Sequence, residues 1–177
     1  MNASIGVVLL YSGGVIDLRV VEEFLNTLDE RTFSRHGVPH KGADTLSAWV
    51  STHQVADREA AAKLRASLRA ALAGEGSAAE AIAAFPLRLE AFADGRLRIG
   101  SPVADPALGV IAVAVAHAVA DGSWQRLRLC AAPDCRWAFY DASRGGAGRW
   151  CSMEVCGNRH KTRSYRSRRL ADSFVEA

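Results

Sequence analysis

Residues 130–169 read CAAPDCRWAFYDASRGGAGRWCSMEVCGNRHKTRSYRSRR, and this stretch decides how the rest of the 177-residue chain is read. It holds all four cysteines, spaced Cys130-(four)-Cys135-(fifteen)-Cys151-(four)-Cys156. Two close pairs joined by a loop of middle length are what a tetrahedral structural metal site needs. Each pair bends around one side of the ion, and the loop folds back to bring in the other pair. Pro133 and Asp134 are turn residues suited to the first bend. Four unrelated buried thiols would not gather in one 27-residue window when the rest of the chain has none. Redox-labile disulfides are the remaining alternative. Four thiolates suit zinc in a closed site, so Cys130, Cys135, Cys151 and Cys156 are the expected ligands of one Zn²⁺. His160 stands four residues after Cys156, which is ligand spacing on a helix and equally ordinary for a surface histidine.

After the first pair, RWAFYDAS reads as a strand and RGGAGR as a turn, and the second pair leads into a helix. Knuckle, hairpin and helix in that order predict a treble-clef-like finger, with its last ligand near a helix start where the dipole favours thiolate. The charge of the chain is concentrated here. Residues 130–170 carry nine Lys/Arg against three acids, whereas residues 1–129 carry thirteen against fourteen. A local surplus of +6 is the electrostatic footprint of a polyanionic partner.

Sorted at 100° per residue, the predicted helix puts Arg159, Arg163 and Arg166 on one stripe. Lys161, Tyr165 and Arg168 fall almost opposite. Met153, His160, Ser164 and Ser167 form an uncharged face, expected to pack against the finger. Basic stripes on both flanks suit insertion between two phosphate backbones, as in a DNA major groove. The nucleic-acid candidates are Arg149, Asn158, Arg159, Lys161, Arg163, Arg166, Arg168 and Arg169. A solvated helix with excess charge is the bland alternative. Trp137, Phe139 and Tyr140 can stack unpaired RNA bases, though alternating Trp137 and Phe139 are more simply the finger's small core.

Upstream, the pattern is mostly helical. Apolar spacing predicts a helix over 15–30, and Asp44 caps a short helix at TLSAWV. A longer helix with Leu64, Leu68 and Leu72 on one stripe ends at Gly74, and Ser77 with Glu80 forms a capping box. Pro86 stops the helix that follows. LRLEAFADGRLRIG predicts one hairpin turning at Asp94-Gly95. Asp105-Pro106 opens another helix, running to about Ala120. The expected fold is α+β and mostly α: a helical domain over 1–125 with one hairpin, packed without a spacer against a finger over 126–172. The apolar run 109–120 is too short to cross a membrane, and the N-terminus lacks a signal peptide's positive charge, so a cytoplasmic, membrane-free protein is expected.

At WCSMEVCGNRHKTRSYRSRR the sequence resembles the CGNR zinc-finger family, whose motif stands here as Cys156-Gly157-Asn158-Arg159. The resemblance extends back through RLRLCAAPDCRWAFYDASRGGAGRWCS. The family joins this finger to a mostly helical domain called ABATE, regarded as a stress-induced transcription regulator, and YSGGVIDLRVVEEFLNTLDER looks like the start of that domain. The resemblance implies that the four cysteines hold zinc and that the arginines after Cys156 face DNA. The leading expectation is a regulator of transcription that binds double-stranded DNA, with the helical domain as a sensor or a homodimerisation module. A small-molecule sensor is the second, with Asn26, Thr27, Trp49 and His53 lining an effector pocket and the finger as a cap. RNA binding is the third. An enzyme is not expected: the five histidines form no motif with a carboxylate pair, SRGGAGR lacks the context of a phosphate loop, and four cysteines close a metal site.

Overall fold

The stretch REAAAKLRASLRAAL combines strong helix formers with an apolar stripe, and it forms α3 (Arg58–Leu72) with Ala61, Leu64 and Leu68 buried. Its first turn is capped by Asp57, whose carboxylate accepts from the Ala60 N–H at 2.8 Å. It ends just before Gly74, which takes the left-handed conformation (φ +85°). The structure is a computed structural model and describes residues 18–35, 37–91, 93, 95 and 97–175, without the side chains of 35 and 170–175.

In chain order the elements before α3 are α1 (Arg19–Leu25), β1 (Leu28–Asp29), β2 (Ser34–Arg35), β3 (Val38–Pro39), β4 (Ala43–Asp44) and α2 (Leu46–Thr52). After α3 come α4 (Ala78–Ile82), β5 (Arg88–Ala91), β6 (Leu97–Gly100), α5 (Pro106–Ala120), a 3-10 turn at Ser123–Arg126, β7 (Leu127–Leu129) and β8 (Ala138–Tyr140). A π-turn at Met153–Gly157 then feeds α6 (Asn158–Val175). All pairing among the described residues is antiparallel and two-stranded: β1 with β4, β2 with β3, β5 with β6, and β7 with β8. No helix among the described residues is long and apolar enough to cross a membrane.

The helix expected over 15–30 is shorter. α1 stops at Leu25 because the next two side chains bond elsewhere: Asn26 reaches β8, and the Thr27 hydroxyl turns back to donate to the Phe24 carbonyl at 2.7 Å. Leu28 then enters β1 instead of continuing the apolar stripe. Val15, Ile16 and Asp17, which belonged to the expected helix, lie outside the described residues, as do Phe92, Asp94 and Arg96 of the expected hairpin turn. The strands of that hairpin pair in register, Leu89 with Ile99 and Ala91 with Leu97. The expectation of a single hairpin upstream of residue 126 is corrected by β1–β4 and β2–β3. Ladders of two residues are too short for a period of two to show in sequence.

The caps also differ in detail from the expected ones. Ser77 and Glu80 make the reciprocal capping box. Asp105 precedes α5 but does not cap it. The carboxylate accepts instead from Ala56 at 2.7 Å and Asp57 at 3.1 Å, tying the start of α3 to the start of α5. Asp44 accepts from the Leu46 N–H at 2.9 Å, while the capping position itself is Thr45.

The same Asp44 carboxylate takes a fork from Arg65, at 2.8 and 2.6 Å, and Arg65 also donates to the Thr27 hydroxyl at 2.9 Å. The hydrogen bonds from Arg65 hold the Asp44 carboxyl at about 2, below its ordinary 3.8. A carboxyl depressed on folding stabilises fully above its unfolded value and stops doing so as pH falls through its folded value. Thermal stability is therefore expected to decline between about pH 4 and pH 2, and Asp44→Asn should flatten that part of the profile. An unchanged acid limb in Asp44→Asn would remove this pair from the account.

One main core runs from α1 to β8. Phe24, Leu25, Leu46, Leu64, Leu68, Leu108, Ile111 and Val115 fill it, and Leu127 and Ala138 belong to it as well. The strand pair that carries the first cysteines is thus seated in the core of the helical part.

Candidate metal centre and nucleic-acid interface

β7 and β8 form the stem of the first knuckle, and Cys130 to Cys135 turn at its tip. The Cys130 N–H donates to the Trp137 carbonyl at 2.9 Å, and the Cys135 N–H donates to the Ala132 carbonyl at 2.9 Å. Arg136 takes positive φ (53°) to complete the turn. The hairpin therefore flanks the knuckle, with its first strand upstream of Cys130. This corrects the expected order, in which a hairpin followed the knuckle. The loop after β8 winds around the buried Asp141, whose carboxylate accepts from Ser143 at 3.0 Å and Gly148 at 2.7 Å. A Cβ on Gly148 would lie 2.8 Å from that carboxylate, so only glycine fits.

The second knuckle is a π-turn opened by Ser152. Its hydroxyl accepts from the Val155 N–H at 3.2 Å, and its carbonyl accepts from Cys156 at 2.9 Å and Gly157 at 3.1 Å. The two knuckles are joined by a bond from the Ala131 N–H to the Arg149 carbonyl, at 2.8 Å.

The structure brings Cys130, Cys135, Cys151 and Cys156 together, with all four Sγ atoms within 4.8 Å of one another. Cys135 to Cys151 is 3.6 Å and Cys151 to Cys156 is 3.8 Å. A tetrahedral thiolate site with metal–sulfur bonds of about 2.3 Å has edges of about 3.8 Å, so donor set and spacing both fit. Cys130, Cys135 and Cys156 are 1%, 0% and 1% exposed, and Cys151 is half-buried.

Left to themselves the thiols do not share charge evenly. Hydrogen bonds from Cys135 and Cys151 hold Cys130 well below the ordinary thiol range, and the bond to Cys130 pushes Cys135 above it. Cys151 is pushed up by its bonds to Cys130 and Cys135. Four thiolates this close require a cation between them. His160 is outside the cluster, with its ring against Trp150 at 4.7 Å between centroids.

On α6 the face turned to the finger is only in part the one expected. Arg159 forks onto Asp134 of the first knuckle, Nη1 to Oδ2 at 2.9 Å and Nη2 to Oδ1 at 3.0 Å. Arg163 adds a contact to Oδ2 at 2.8 Å. Burial pushes the Asp134 carboxyl upward, but Arg163 and Arg159 together outweigh it and hold it below its ordinary value. The side held to the first knuckle thus starts at Arg159, with Arg163 reaching in from an exposed position, while of the expected face His160 meets Trp150, Ser164 is half-buried, and Met153 and Ser167 are exposed. The helical sort could not foresee this, because the attraction comes from a carboxylate 25 residues upstream of Arg159.

Lys161, Tyr165, Arg166, Arg168 and Arg169 are exposed. Arg168 Nε donates to the Ser164 carbonyl at 3.3 Å and Arg169 lies 5.8 Å from the Tyr165 ring centre. Among the described residues, Lys161, Arg166, Arg168 and Arg169 have no carboxylate partner. Arg149 is exposed beside Trp150, and Asn158 bonds the Glu154 carbonyl at 3.2 Å.

The four effector candidates are occupied within the fold. Asn26 acts as a strand neighbour to β8: its amide donates to the Ala138 carbonyl and its oxygen accepts from the Ala138 N–H, both at 2.9 Å. The Thr27 hydroxyl serves Phe24 and Arg65. Trp49 stacks on His53 at 4.3 Å and meets the Phe24 ring at a tilt, 4.7 Å between centroids. A shallow cleft of about 300 Å³ beside Asn26 and Thr27 is lined also by Glu22, Glu23, Thr45 and Trp137, without Trp49 or His53. Sequence reasoning missed Arg65, Arg69, the pairing role of Asp134, and Phe33. Arg65 and Arg69 lie four and eight positions after the buried Ala61, so an arginine on the apolar stripe of α3 was the available signal.

Residues 126–169 match the family model of the CGNR zinc finger. A search of curated proteins finds no match to the chain. Together with the sulfur geometry, the match makes this region a CGNR-type finger with a metal-binding cluster of four cysteines.

Proposed function

We propose that the protein is a cytoplasmic DNA-binding regulator of transcription, not an enzyme, in which a structural zinc finger mounts α6 against the duplex. The observation that carries this reading is the outward stripe of α6, where Lys161, Arg168 and Arg169 stand exposed on a helix whose inner side is pinned to the first knuckle. Cys130, Cys135, Cys151 and Cys156 would hold the zinc ion, whose charge supports four thiolates. Held in this way, the knuckles give α6 a fixed start. The helical part upstream, ABATE-like by resemblance, would sense a signal or form a homodimer. An effector would enter at the Asn26 and Thr27 cleft, where both side chains already have internal partners. RNA stacking is less favoured: Arg31 covers the Trp137 ring at 4.0 Å, and Phe139 packs against the cysteine cluster.

Binding of a duplex should weaken steeply with salt. Removing one basic side chain from a phosphate is expected to reduce the slope of log K against log salt by roughly 0.9. The triple variant Lys161→Ala, Arg168→Ala, Arg169→Ala should therefore bind any duplex more weakly and with a flatter slope. Parent-like affinity and slope in a fluorescence anisotropy titration would reject this interface.

A further inference from the structure

Arg159, the last residue of the CGNR motif, has three kinds of partner within the fold. Besides its fork on Asp134, its Nη2 lies 3.6 Å from the sulfur of Cys156, and its guanidinium carbon lies 3.6 Å from the centre of the Phe33 ring. Its side chain is 20% exposed, against 59% for Arg163, and its buried Nε has no acceptor. A phosphate contact would require it to abandon a carboxylate, a ligand sulfur and an aromatic face together.

Phe33 does not belong to the finger. It sits between β1 and β2, and its segment is pinned on both sides. The Thr32 N–H donates to the Asp134 carbonyl at 3.1 Å, and the Phe33 carbonyl accepts from the His40 N–H at 2.8 Å. Close by in the chain, Arg31 lies over Trp137 while forking onto Asp29 at 2.8 and 2.7 Å. Arg159 is therefore the point where three parts of the chain meet: the β1–β2 segment, the first knuckle through Asp134, and the second through Cys156.

We propose that Arg159 is a positioning residue, which sets the direction in which α6 leaves the second knuckle and, through Phe33, makes that direction depend on the N-terminal part of the chain. The consequence for DNA rests on the regulator reading above. The consequence for the metal does not. A partner of a ligand sulfur holds that ligand in place, and removing such partners typically weakens metal binding about 10–100-fold. Lysine keeps the charge of arginine but cannot make the fork on a carboxylate or lie flat on a ring. Arg159→Lys thus separates positioning from a simple charge contact.

The test uses the full chain loaded with zinc, in the variants Arg159→Lys, Phe33→Leu, the double variant Arg159→Lys with Phe33→Leu, and Arg168→Ala. Zinc transfer to a chromogenic chelator, amide hydrogen exchange over 158–169 and duplex binding against salt are measured for each. Arg159→Lys is expected to release zinc about tenfold faster and to lose protection in the first turns of α6. Phe33→Leu should move both readouts in the same direction, and the double variant should be no worse than Arg159→Lys alone. In duplex binding, both should lose affinity with the salt slope retained, whereas Arg168→Ala should lower the slope by about 0.9 with zinc release unchanged. Parent-like zinc release and exchange in Arg159→Lys would overturn the proposal, and so would Phe33→Leu effects that simply add to those of Arg159→Lys. If the parent binds no duplex at all, the regulator reading falls, and zinc release with exchange still decides the role of Arg159.

Discussion

Chelation of the metal is expected to unfold the finger and to loosen the helical part with it. Structural zinc sites of this kind contribute about 10–16 kcal/mol of apparent binding energy at neutral pH, and where the site does not preform, that energy is folding energy. Here the thiols of Cys135 and Cys151 are pushed up while Cys130 is held down, so the metal-free cluster keeps protons that a metal would displace. Loss of the metal also removes the closure that seats β7 and β8, which place Leu127 and Ala138 in the main core. A stability loss of about 5 kcal/mol would lower Tm by on the order of 10–20 °C in a chain of this size. Calorimetry before and after chelation, with metal content measured on the same sample, checks it. Cys156→Ser should reproduce the effect. A chelated protein with the parent's Tm would show that the knuckles close without metal.

The second large effect is expected at Arg69. Its side chain is 7% exposed, beneath α1 and beside the first knuckle. Nη1 donates to the Leu25 carbonyl at 3.1 Å, and Nη2 donates to the Arg136 carbonyl at 3.0 Å and to Glu30. Burial lowers its guanidinium from the usual arginine value, yet it stays charged because Glu30 opposes that shift. Methionine matches much of the volume but donates nothing. Each carbonyl left unpaired in a buried place costs about 1–3 kcal/mol, so Arg69→Met is expected to destabilise by about 3 kcal/mol in denaturant unfolding. Because Arg136 follows Cys135 of the cysteine cluster, the same variant should also release bound metal faster. Lys63→Met is the control: Lys63 is exposed on α3 and paired with Glu59, and its loss should leave Tm unchanged. Parent-like unfolding of Arg69→Met would mean that water reaches these carbonyls.

These two sites differ in how far they could be read in advance. The gathering of the four cysteines was legible because metal geometry constrains spacing along the chain, and two pairs of thiols with a folding-back loop leave few other readings. The helix after Cys156 was legible from its composition and from the turn before it. Which side of that helix faces outward was not. Periodicity ranks the faces by their own side chains, and an all-basic helix offers no apolar stripe to rank. The choice fell to Asp134 and Phe33, one read as a turn residue and the other not singled out.

The same division holds upstream. The Ser77–Glu80 capping box, the alanine–leucine stripe of α3 and the Leu89–Ile99 hairpin are local patterns, and they appear where the residues predicted them. Asn26 and Thr27 looked like free polar groups for a ligand, and the tertiary structure turned both inward, to β8 and to Arg65. By itself, then, the sequence determined the metal-binding cluster, the helical content and the place of the positive charge, since each depends on neighbours in the chain or on a spacing an ion imposes. Only the tertiary structure decided which arginines bind the protein and which face solvent. That choice depends on carboxylates, carbonyls and rings brought close from 25 to 126 residues away, where no local pattern reaches.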